Sequence, residues 1–306
     1  MLASAALLLP ATLASGRAPA VAIVLSSKIG PFEQATDGIL AALRRGPLQP
    51  EILTFDLEGA REKATAVLEQ VRRAEPALVI TVGSLATAAV LEKPWPVPVV
   101  FSMVLYPAQS GFAAGSGRKV TGASLDVPLE QQFKTLRRVL PAAHRLGVLY
   151  HAAETGAIVD AARKVAPHEG FTVETAEVAE PGAALGALGA LLERVDAVWT
   201  VADSHVFTPQ TTSALILAAL RQRVPVFGLS VAHVRTGALA ALYVDYADVG
   251  AQAGELAERV LGGEDAAGIA PVTPRKVALA LNLRTAEHLG VQIAPEVEKG
   301  AGEVVR

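Results

Sequence analysis

The feature that most constrains the fold is a regular alternation of short apolar segments with longer amphipathic ones. Residues 20–27 (AVAIVLSS) and 50–57 (PEILTFDL) are typical of strands, and residues 32–45 and 61–74 have helical spacing. Strands that alternate with helices of about ten to fifteen residues favour βαβ units and a parallel sheet. Most of the predicted strands are apolar on both faces, as strands buried between two helical layers must be. The sequence therefore predicts an α/β fold.

The alternation continues along the chain and restarts once, near residues 122–128. Further strands are predicted at 77–82, 97–104, 119–125, 145–151, 171–178, 196–203, 224–230 and 237–246. With 306 residues and 51% hydrophobic composition, the chain is long enough for two such units. We therefore expect two lobes.

The predicted lobes are discontinuous in sequence. Residues 20–123 plus 238–266 are expected to form the first lobe, and residues 124–237 plus 275–300 the second, with a ligand cleft between them. The return to the first lobe is inferred from a late strand and helix, and one more strand and helix follow them.

Composition excludes several classes of function. Charged residues make up 19% of the chain and the formal net charge is −3, so the basic stripe of a nucleic-acid-binding protein is not expected. The chain has no cysteine, which excludes disulfides, thiolate catalysis, zinc–thiolate sites and iron–sulfur clusters. A lipid-modified cysteine is excluded for the same reason.

The first residues suggest export. Residues 1–16 form an apolar stretch followed by small residues, which is typical of a signal peptide or an N-terminal anchor, although no Lys or Arg precedes the apolar run. The alternative is a frayed apolar tail. The prediction is a periplasmic protein, possessing either a cleaved signal peptide or an uncleaved anchor.

Small polar residues recur where the predicted strands end. In open parallel sheets, ligands bind beyond the carboxyl ends of the strands. Each such residue alone fits a helix cap or a turn, but together they suggest the walls of a polar cleft. These residues are Ser26, Ser84, Ser102, Tyr106, Asp203, Ser204 and Ser230.

Catalytic and cofactor motifs are weak. The nearest approach to a nucleophile elbow is GLSVA at 228–232, where Ser230 precedes His233, but its second glycine is missing and no good helix is expected after it. The histidines show no i, i+4 pair, so no metal site is predicted. No phosphate-binding loop or dinucleotide fingerprint is present, so no cofactor is predicted. The sequence favours binding over catalysis.

Many short motifs, in order, resemble one family. They are VGSLATAAV, VPVVFSMVLYPAQSGF, KVTGASL, RLGVLYH, DAVWTVADSHVF, VPVFGLS, TGALAALYVDYADVGAQAGELAERVLGGE and ALALNLRTAEHLGVQIAPEV. They resemble ABC-transporter substrate-binding proteins of the tryptophan/tyrosine-binding type, a branch of the class I periplasmic binding proteins. The resemblance runs from Val21 to about Val297.

This resemblance implies a fold and a function. It implies two Rossmann-like lobes with parallel sheets, of the periplasmic-binding-protein type I, joined by three hinge crossings. It also implies that the protein captures a small molecule by hinge closure and delivers it to an ABC permease in the inner membrane. We further expect a monomer without enzyme activity. The expected solute is an amino acid, aromatic ones included, or a small carboxylate.

The resemblance also carries residue roles. Ser84 stands where the family usually has threonine, Asp203 stands where it has Asp-Asn, and Asp245 matches the aspartate of its Asp-Tyr pair. Two positions depart from the pattern: Tyr106 replaces a frequent aspartate, and Ser204 replaces an asparagine. The loss of an acidic group at 106 puts the usual amino-acid ligand in doubt.

One specific hypothesis follows for the strand that ends at Gly83. A helix N-terminus offers unpaired N–H groups and a partial positive charge. We therefore expect the Ser84 hydroxyl and the N–H groups of Ala86 and Thr87 to hold a ligand carboxylate, and Asp203 to hold an ammonium group across the cleft.

Two other functions stay open at this level. The chain could be a ligand-sensing protein that reports to a separate signalling partner, which neighbouring genes would reveal. It could also be a serine hydrolase that uses Ser230 and His233, which an active-site-directed probe would label.

Overall fold

A computed structural model describes residues 19–112 and 118–306 of the chain. The predicted signal peptide or anchor, residues 1–16, lies outside the described residues. Among those described, no helix is both long and apolar enough to cross a membrane.

The first half of the chain forms a five-stranded parallel sheet with the order β2-β1-β3-β4-β5. Apolar β-branched residues dominate its inner strands, which are buried on both faces. Its strands are β1 (Ala20–Leu25), β2 (Glu51–Asp56), β3 (Leu78–Val82), β4 (Val99–Val104) and β5 (Val120–Ser124). The helices that connect them are α1 (Gly30–Arg45), α2 (Ala64–Arg73) and α3 (Ser84–Leu91).

The second half forms a seven-stranded sheet with the order β12-β11-β10-β9-β8-β6-β7. Its strands are β6 (Arg145–Tyr150), β7 (Thr172–Glu177), β8 (Ala197–Trp199), β9 (Val226–Gly228), β10 (Ala240–Val244), β11 (Val277–Asn282) and β12 (Glu303–Val305). Only the β10–β11 pair is antiparallel among the described strands.

Eight further helices belong to the described part of the second half of the chain. They are α4 (Leu129–Val139), α5 (Ala152–Val165), α6 (Ala184–Leu192), α7 (Thr212–Arg221), α8 (Val231–Thr236), α9 (Tyr246–Leu261), α10 (Leu283–Leu289) and α11 (Pro295–Lys299). The predicted α/β fold with two parallel-dominated sheets is confirmed.

The chain passes between the sheets three times. It leaves the first sheet after β5, returns from β10 to α9, and passes back after residue 272 to β11. Helix α9 packs on α1, and the two backbones approach so closely that a Cβ at Gly250 would lie 1.9 Å from the carbonyl oxygen of Ala35. The return helix is thereby locked onto the first lobe.

The predicted lobe boundary is wrong at one strand. Residues 238–266 were expected in the first lobe, but β10 hydrogen-bonds between β9 and β11 and so belongs to the second sheet. The chain returns to the first lobe only at Asp245, whose carboxylate caps α9 by accepting from the N–H of Asp248 (3.0 Å).

Two local predictions also differ from the structure. The strand predicted at 196–203 ends at Trp199, because the chain then turns around the buried carboxylate of Asp203. Helix α8 follows β9 although none was expected there: Ser230 caps it, and Gly237, at a φ of 128°, ends it.

Candidate functional site

A cavity of about 320 Å³ lies between the two lobes, at the carboxyl edges of the sheets. Its walls come from the loop after β4, from the ends of β8, β9 and β10, and from the first crossing, residues 125–129. This is the position at which open parallel sheets bind ligands. Its volume is at the small end of the range for ligand pockets, about 300–1,000 Å³.

Aromatic side chains concentrate at this cavity. The whole chain has only two tryptophans and four tyrosines. One tryptophan, three tyrosines and one phenylalanine line the cavity. They are Trp199, Tyr106, Tyr243, Tyr246 and Phe227. Aromatic walls favour a ligand that carries a ring or a cation.

Trp199 is a fixed part of the wall. It is buried, its ring packs against Phe133 with centroids 5.1 Å apart, and its indole N–H donates to Oε1 of Gln132 (2.9 Å). The Gln132 amide in turn donates to the carbonyl of Val127 in the first crossing (2.7 Å). The wall of the second lobe is thus tied to the hinge.

Asp126 is the one carboxylate among the described residues that line the cavity. Both of its oxygens accept the N–H of Tyr106, at 2.9 and 3.1 Å. Burial raises the pKa of Asp126 to about 6, against the opposing effect of that hydrogen bond. A carboxylate has about four acceptor positions, so Asp126 retains capacity for a cationic group.

Tyr106 joins the two lobes. It follows β4 with a positive φ of 52°, and its hydroxyl accepts the N–H of Ala202, beyond β8 in the second lobe (3.1 Å). Burial raises the pKa of its hydroxyl to about 12, so it stays neutral. The structure therefore places this predicted residue in the cavity, where it also bridges the cleft.

The corner at the start of α3 does not offer the carboxylate site that the sequence predicted. The Ala86 N–H is already bound by the Ser26 hydroxyl (3.0 Å), which itself donates to the Val82 carbonyl (2.8 Å). The Thr87 N–H donates to the Gly83 carbonyl (3.1 Å). Both backbone donors predicted for a ligand carboxylate are therefore used within the lobe, one by Ser26 and one by the first turn of α3.

The other members of this corner have separate positions. Thr87 is buried, and its hydroxyl donates to the Gly83 carbonyl (2.8 Å). Ser84 begins α3 and is exposed at the carboxyl edge of the first sheet, but it does not line the cavity. Ser102 lies inside the first sheet and is fully buried, so it does not reach a ligand.

The expected ammonium site at Asp203 is wrong for a structural reason. Asp203 is 2% exposed and its two oxygens accept four hydrogen bonds within its own lobe. The donors are the N–H groups of His151, His205 and Val206 and the hydroxyl of Thr155. Asp203 organises a loop, and its acceptor positions are full.

Ser204 and Asp245 also have partners of their own. Ser204 donates its N–H and its hydroxyl to the carboxylate of Glu154, at 2.8 and 2.9 Å. Asp245 caps α9 and lies 3.7 Å from the ammonium group of Lys276. Its neighbour Tyr246, rather than Asp245, lines the cavity.

The hydrolase interpretation fails on geometry. The Ser230 hydroxyl accepts the backbone N–H of His233 (3.2 Å), and Nδ1 of the His233 ring accepts the N–H of Leu229 (3.2 Å). Serine and imidazole are therefore not paired as nucleophile and base. Burial lowers the pKa of His233, which keeps the ring neutral.

Sequence reasoning missed Asp126 and the aromatic walls. Asp126 follows a short edge strand, and polar residues were sought only after the other predicted strands. Tyr243 lies in β10, which was assigned to the wrong lobe. A partial signal was available: all four tyrosines lie close to predicted strand ends, and three of them line the cavity.

Comparison with known proteins agrees with the fold. The family model described as ABC transporter substrate binding protein matches residues 20–305. A tyrosine-binding protein of Clostridioides difficile (strain R20291) is 22% identical over 220 residues, which are 70% of this chain and 63% of that protein. The match thus spans less than two thirds of that relative.

Two solved structures share the fold. One is an ABC domain from Streptococcus pneumoniae in complex with L-Trp, with a TM-score of 0.73, 21% identity, and coverage of 94% of this chain and 100% of that one. The other is the ligand-free, open structure of a substrate-binding protein with adhesive properties from Clostridium difficile, with a TM-score of 0.78, 18% identity, and coverage of 94% and 99%. The chain belongs to the ABC transporter substrate-binding protein family, whose members are solute receptors rather than enzymes.

Proposed function

We propose that this protein is a periplasmic receptor that captures an aromatic amino acid in the cavity between its lobes and delivers it to an ABC permease. The observation that carries the proposal is a small, aromatic-walled cavity with a single carboxylate, Asp126, in its described lining. The relatives named for tyrosine and tryptophan support the same ligand class.

The aromatic ring of the solute is expected to lie against Trp199 and Phe227, whose side chains share one face of the second sheet. Each aromatic pair contributes roughly 0.5–1.5 kcal/mol beyond the burial of apolar area. Sugars would gain less from these walls, because their hydroxyl groups would lose hydrogen bonds to water that the cavity does not replace.

The ammonium group of the solute is expected to bind Asp126. This carboxylate takes the place of the acidic group that the family often has at position 106, because Tyr106 donates its N–H to Asp126 and holds it at the cavity wall. The proposal therefore keeps an amino-acid ligand despite the tyrosine at 106, with Asp126 as its acidic partner.

The carboxylate of the solute meets only neutral donors in the cavity, since no Lys, Arg or His is among its described lining residues. The hydroxyl of Tyr246 and the amide of Gln109 are the candidate donors there. Ser84 stays a predicted contact from the first lobe, at the same sheet edge.

Closure follows from contacts with both lobes. Tyr106 and Asp126 come from the first lobe and the first crossing, whereas Trp199 and Phe227 come from the second. A solute that touches both sides stabilises the closed form by its differential affinity. No chemical step is required, so we propose no enzyme activity, and a monomer suffices for this function.

A thermal-shift screen tests this proposal. The chain from residue 19 is unfolded and refolded to remove bound solute, then screened with amino acids, small carboxylates, sugars and aromatic amines. A ligand at 100 times its Kd stabilises by about 2.7 kcal/mol, which raises Tm by a few degrees. Shifts confined to aromatic amino acids support the proposal, and shifts confined to sugars or to acids without an amine contradict it.

A further inference from the structure

A cluster of two histidines and one glutamate lies in the second lobe, outside the cavity. His151 directly follows β6 and is the N-cap residue of α5, Glu154 lies in the first turn of α5, and His205 lies in the loop after β8. One possible ligand atom from each residue lies within 4.8 Å of the other two. None of the three lines the cavity.

Hydrogen bonds hold the three residues in place. The buried carboxylate of Asp203 accepts the backbone N–H groups of both His151 (2.6 Å) and His205 (3.0 Å). The Glu154 carboxylate accepts from Ser204 and contacts Nδ1 of the His205 ring (2.9 Å). Such supporting bonds are what orient the ligands of a metal site.

Within the cluster, the two histidine rings stack and one ring nitrogen has no partner that the structure describes. The two imidazole rings stack with centroids 3.9 Å apart and planes 16° from parallel. Nδ1 of His151 is buried and has no hydrogen-bond partner among the described residues. Buried polar atoms are nearly always satisfied, so this nitrogen points to a partner that the described part of the chain does not supply.

We propose that His151, Glu154 and His205 bind one divalent transition-metal ion, with Zn²⁺ as the reference ion. Two imidazole nitrogens and one carboxylate oxygen are a ligand set that suits Zn²⁺, Ni²⁺ and Cu²⁺, and not Mg²⁺, which prefers oxygen ligands. One ring must tilt out of the stack, because the lone pairs of parallel rings do not converge on one point.

The proposed site has an open coordination position. Three protein ligands leave room for a water molecule or a donor from another molecule at a tetrahedral ion. The site lies at the carboxyl edge of the second sheet. His205 is three residues after Ala202, whose N–H donates to the Tyr106 hydroxyl across the cleft. An ion there would lie near the cleft without being part of the solute cavity.

Calorimetric titration of the untagged, chelator-stripped protein with Zn²⁺ tests the proposal. We expect one Zn²⁺ per chain and no binding of Mg²⁺ under the same conditions. His151→Ala, His205→Ala and Glu154→Gln should each weaken Zn²⁺ binding at least about tenfold. The matched control changes two exposed histidines of the same lobe, His144→Ala with His168→Ala, and should bind Zn²⁺ as the unchanged protein does.

The outcomes are distinct. His205 is the safest of the three positions because its side chain is 41% exposed, and thermal melting of each variant verifies that it is folded. Equal Zn²⁺ affinity in folded His205→Ala and in the unchanged protein would overturn the proposal. So would the absence of Zn²⁺ binding, or a loss of binding in the control pair alone. Solute binding in the cavity is not part of this test.

Discussion

Replacing Asp126 with asparagine removes the negative charge from the cavity and leaves the shape of the side chain nearly unchanged. Asparagine keeps a carbonyl oxygen that can accept the N–H of Tyr106, so the loop after β4 retains its support. The negative charge that we expect to bind the ammonium group of the solute is lost. Asp126→Asn should therefore weaken the binding of an aromatic amino acid without unfolding the protein.

The size of the effect follows from the position of Asp126. It is partly buried at a cavity wall, and burial already raises its pKa to about 6. A hydrogen bond to a charged group in such a place is worth roughly 1.5–3 kcal/mol, so Kd should rise about 10- to 150-fold. An exposed pair would contribute only about 0–1 kcal/mol.

The same residue predicts a pH dependence. Because the pKa of Asp126 in the ligand-free protein is about 6, roughly one tenth of the sites are ionised at pH 5. Affinity for an ammonium ligand should thus fall about tenfold from pH 7.5 to pH 5. The raised pKa also means that Asp126 lowers the stability of the ligand-free protein as pH rises from about 4 to about 6.

Calorimetric titration with L-tyrosine and L-tryptophan at both pH values measures these effects. Asp160→Asn, at an exposed aspartate of the second lobe, is the matched control and should leave both Kd and its pH dependence unchanged. Equal Kd values for Asp126→Asn and the unchanged protein, or equal binding of 3-phenylpropionate and phenylalanine, would refute the role of Asp126.

Two further substitutions test the lobe bridge and the helix packing. Tyr106→Phe removes the acceptor for the Ala202 N–H, worth about 0.5–1.5 kcal/mol, and should increase the open fraction of the ligand-free protein. Spin labels, one on each lobe of this cysteine-free chain, measure it, and an unchanged distance distribution would argue against the bridge. Gly250→Ala should lower the free energy of unfolding in urea by about 3 kcal/mol, since its Cβ would lie 1.9 Å from the Ala35 carbonyl oxygen. Gly189→Ala in α6, where a Cβ meets nothing within 4 Å, should instead raise it by about 0.5–1 kcal/mol, and similar losses at both sites would contradict the packing argument.

The fold could be predicted because its signal is local. Strands such as β3 are apolar on both faces and end at a glycine, which needs no knowledge of distant residues. The assignment of β10 failed because sheet membership depends on which strand lies alongside, and β10 pairs with β11, whose residues follow more than thirty positions later.

The site was predicted at the correct sheet edge, but its residues were only partly identified. Ser26 directly follows β1 and Asp203 lies in the loop after β8, yet their side chains bind backbone groups of their own lobe. Sequence cannot tell a polar residue that faces a ligand from one that satisfies a buried N–H group. His151 and His205 are far apart in sequence, so only the folded chain shows that they stack.

The central claim is that an aromatic amino acid binds against Trp199, and the two indole N–H signals of the chain test it most directly. In ¹H–¹⁵N spectra, Trp95→Phe identifies which signal belongs to Trp199. Trp95 lies before β4, at the opposite edge of the first sheet from the cavity, and serves as an internal reference. We predict that L-tyrosine shifts the Trp199 signal until one equivalent is bound and leaves the Trp95 signal in place. Saturable binding that moves neither signal, or only that of Trp95, would contradict the account.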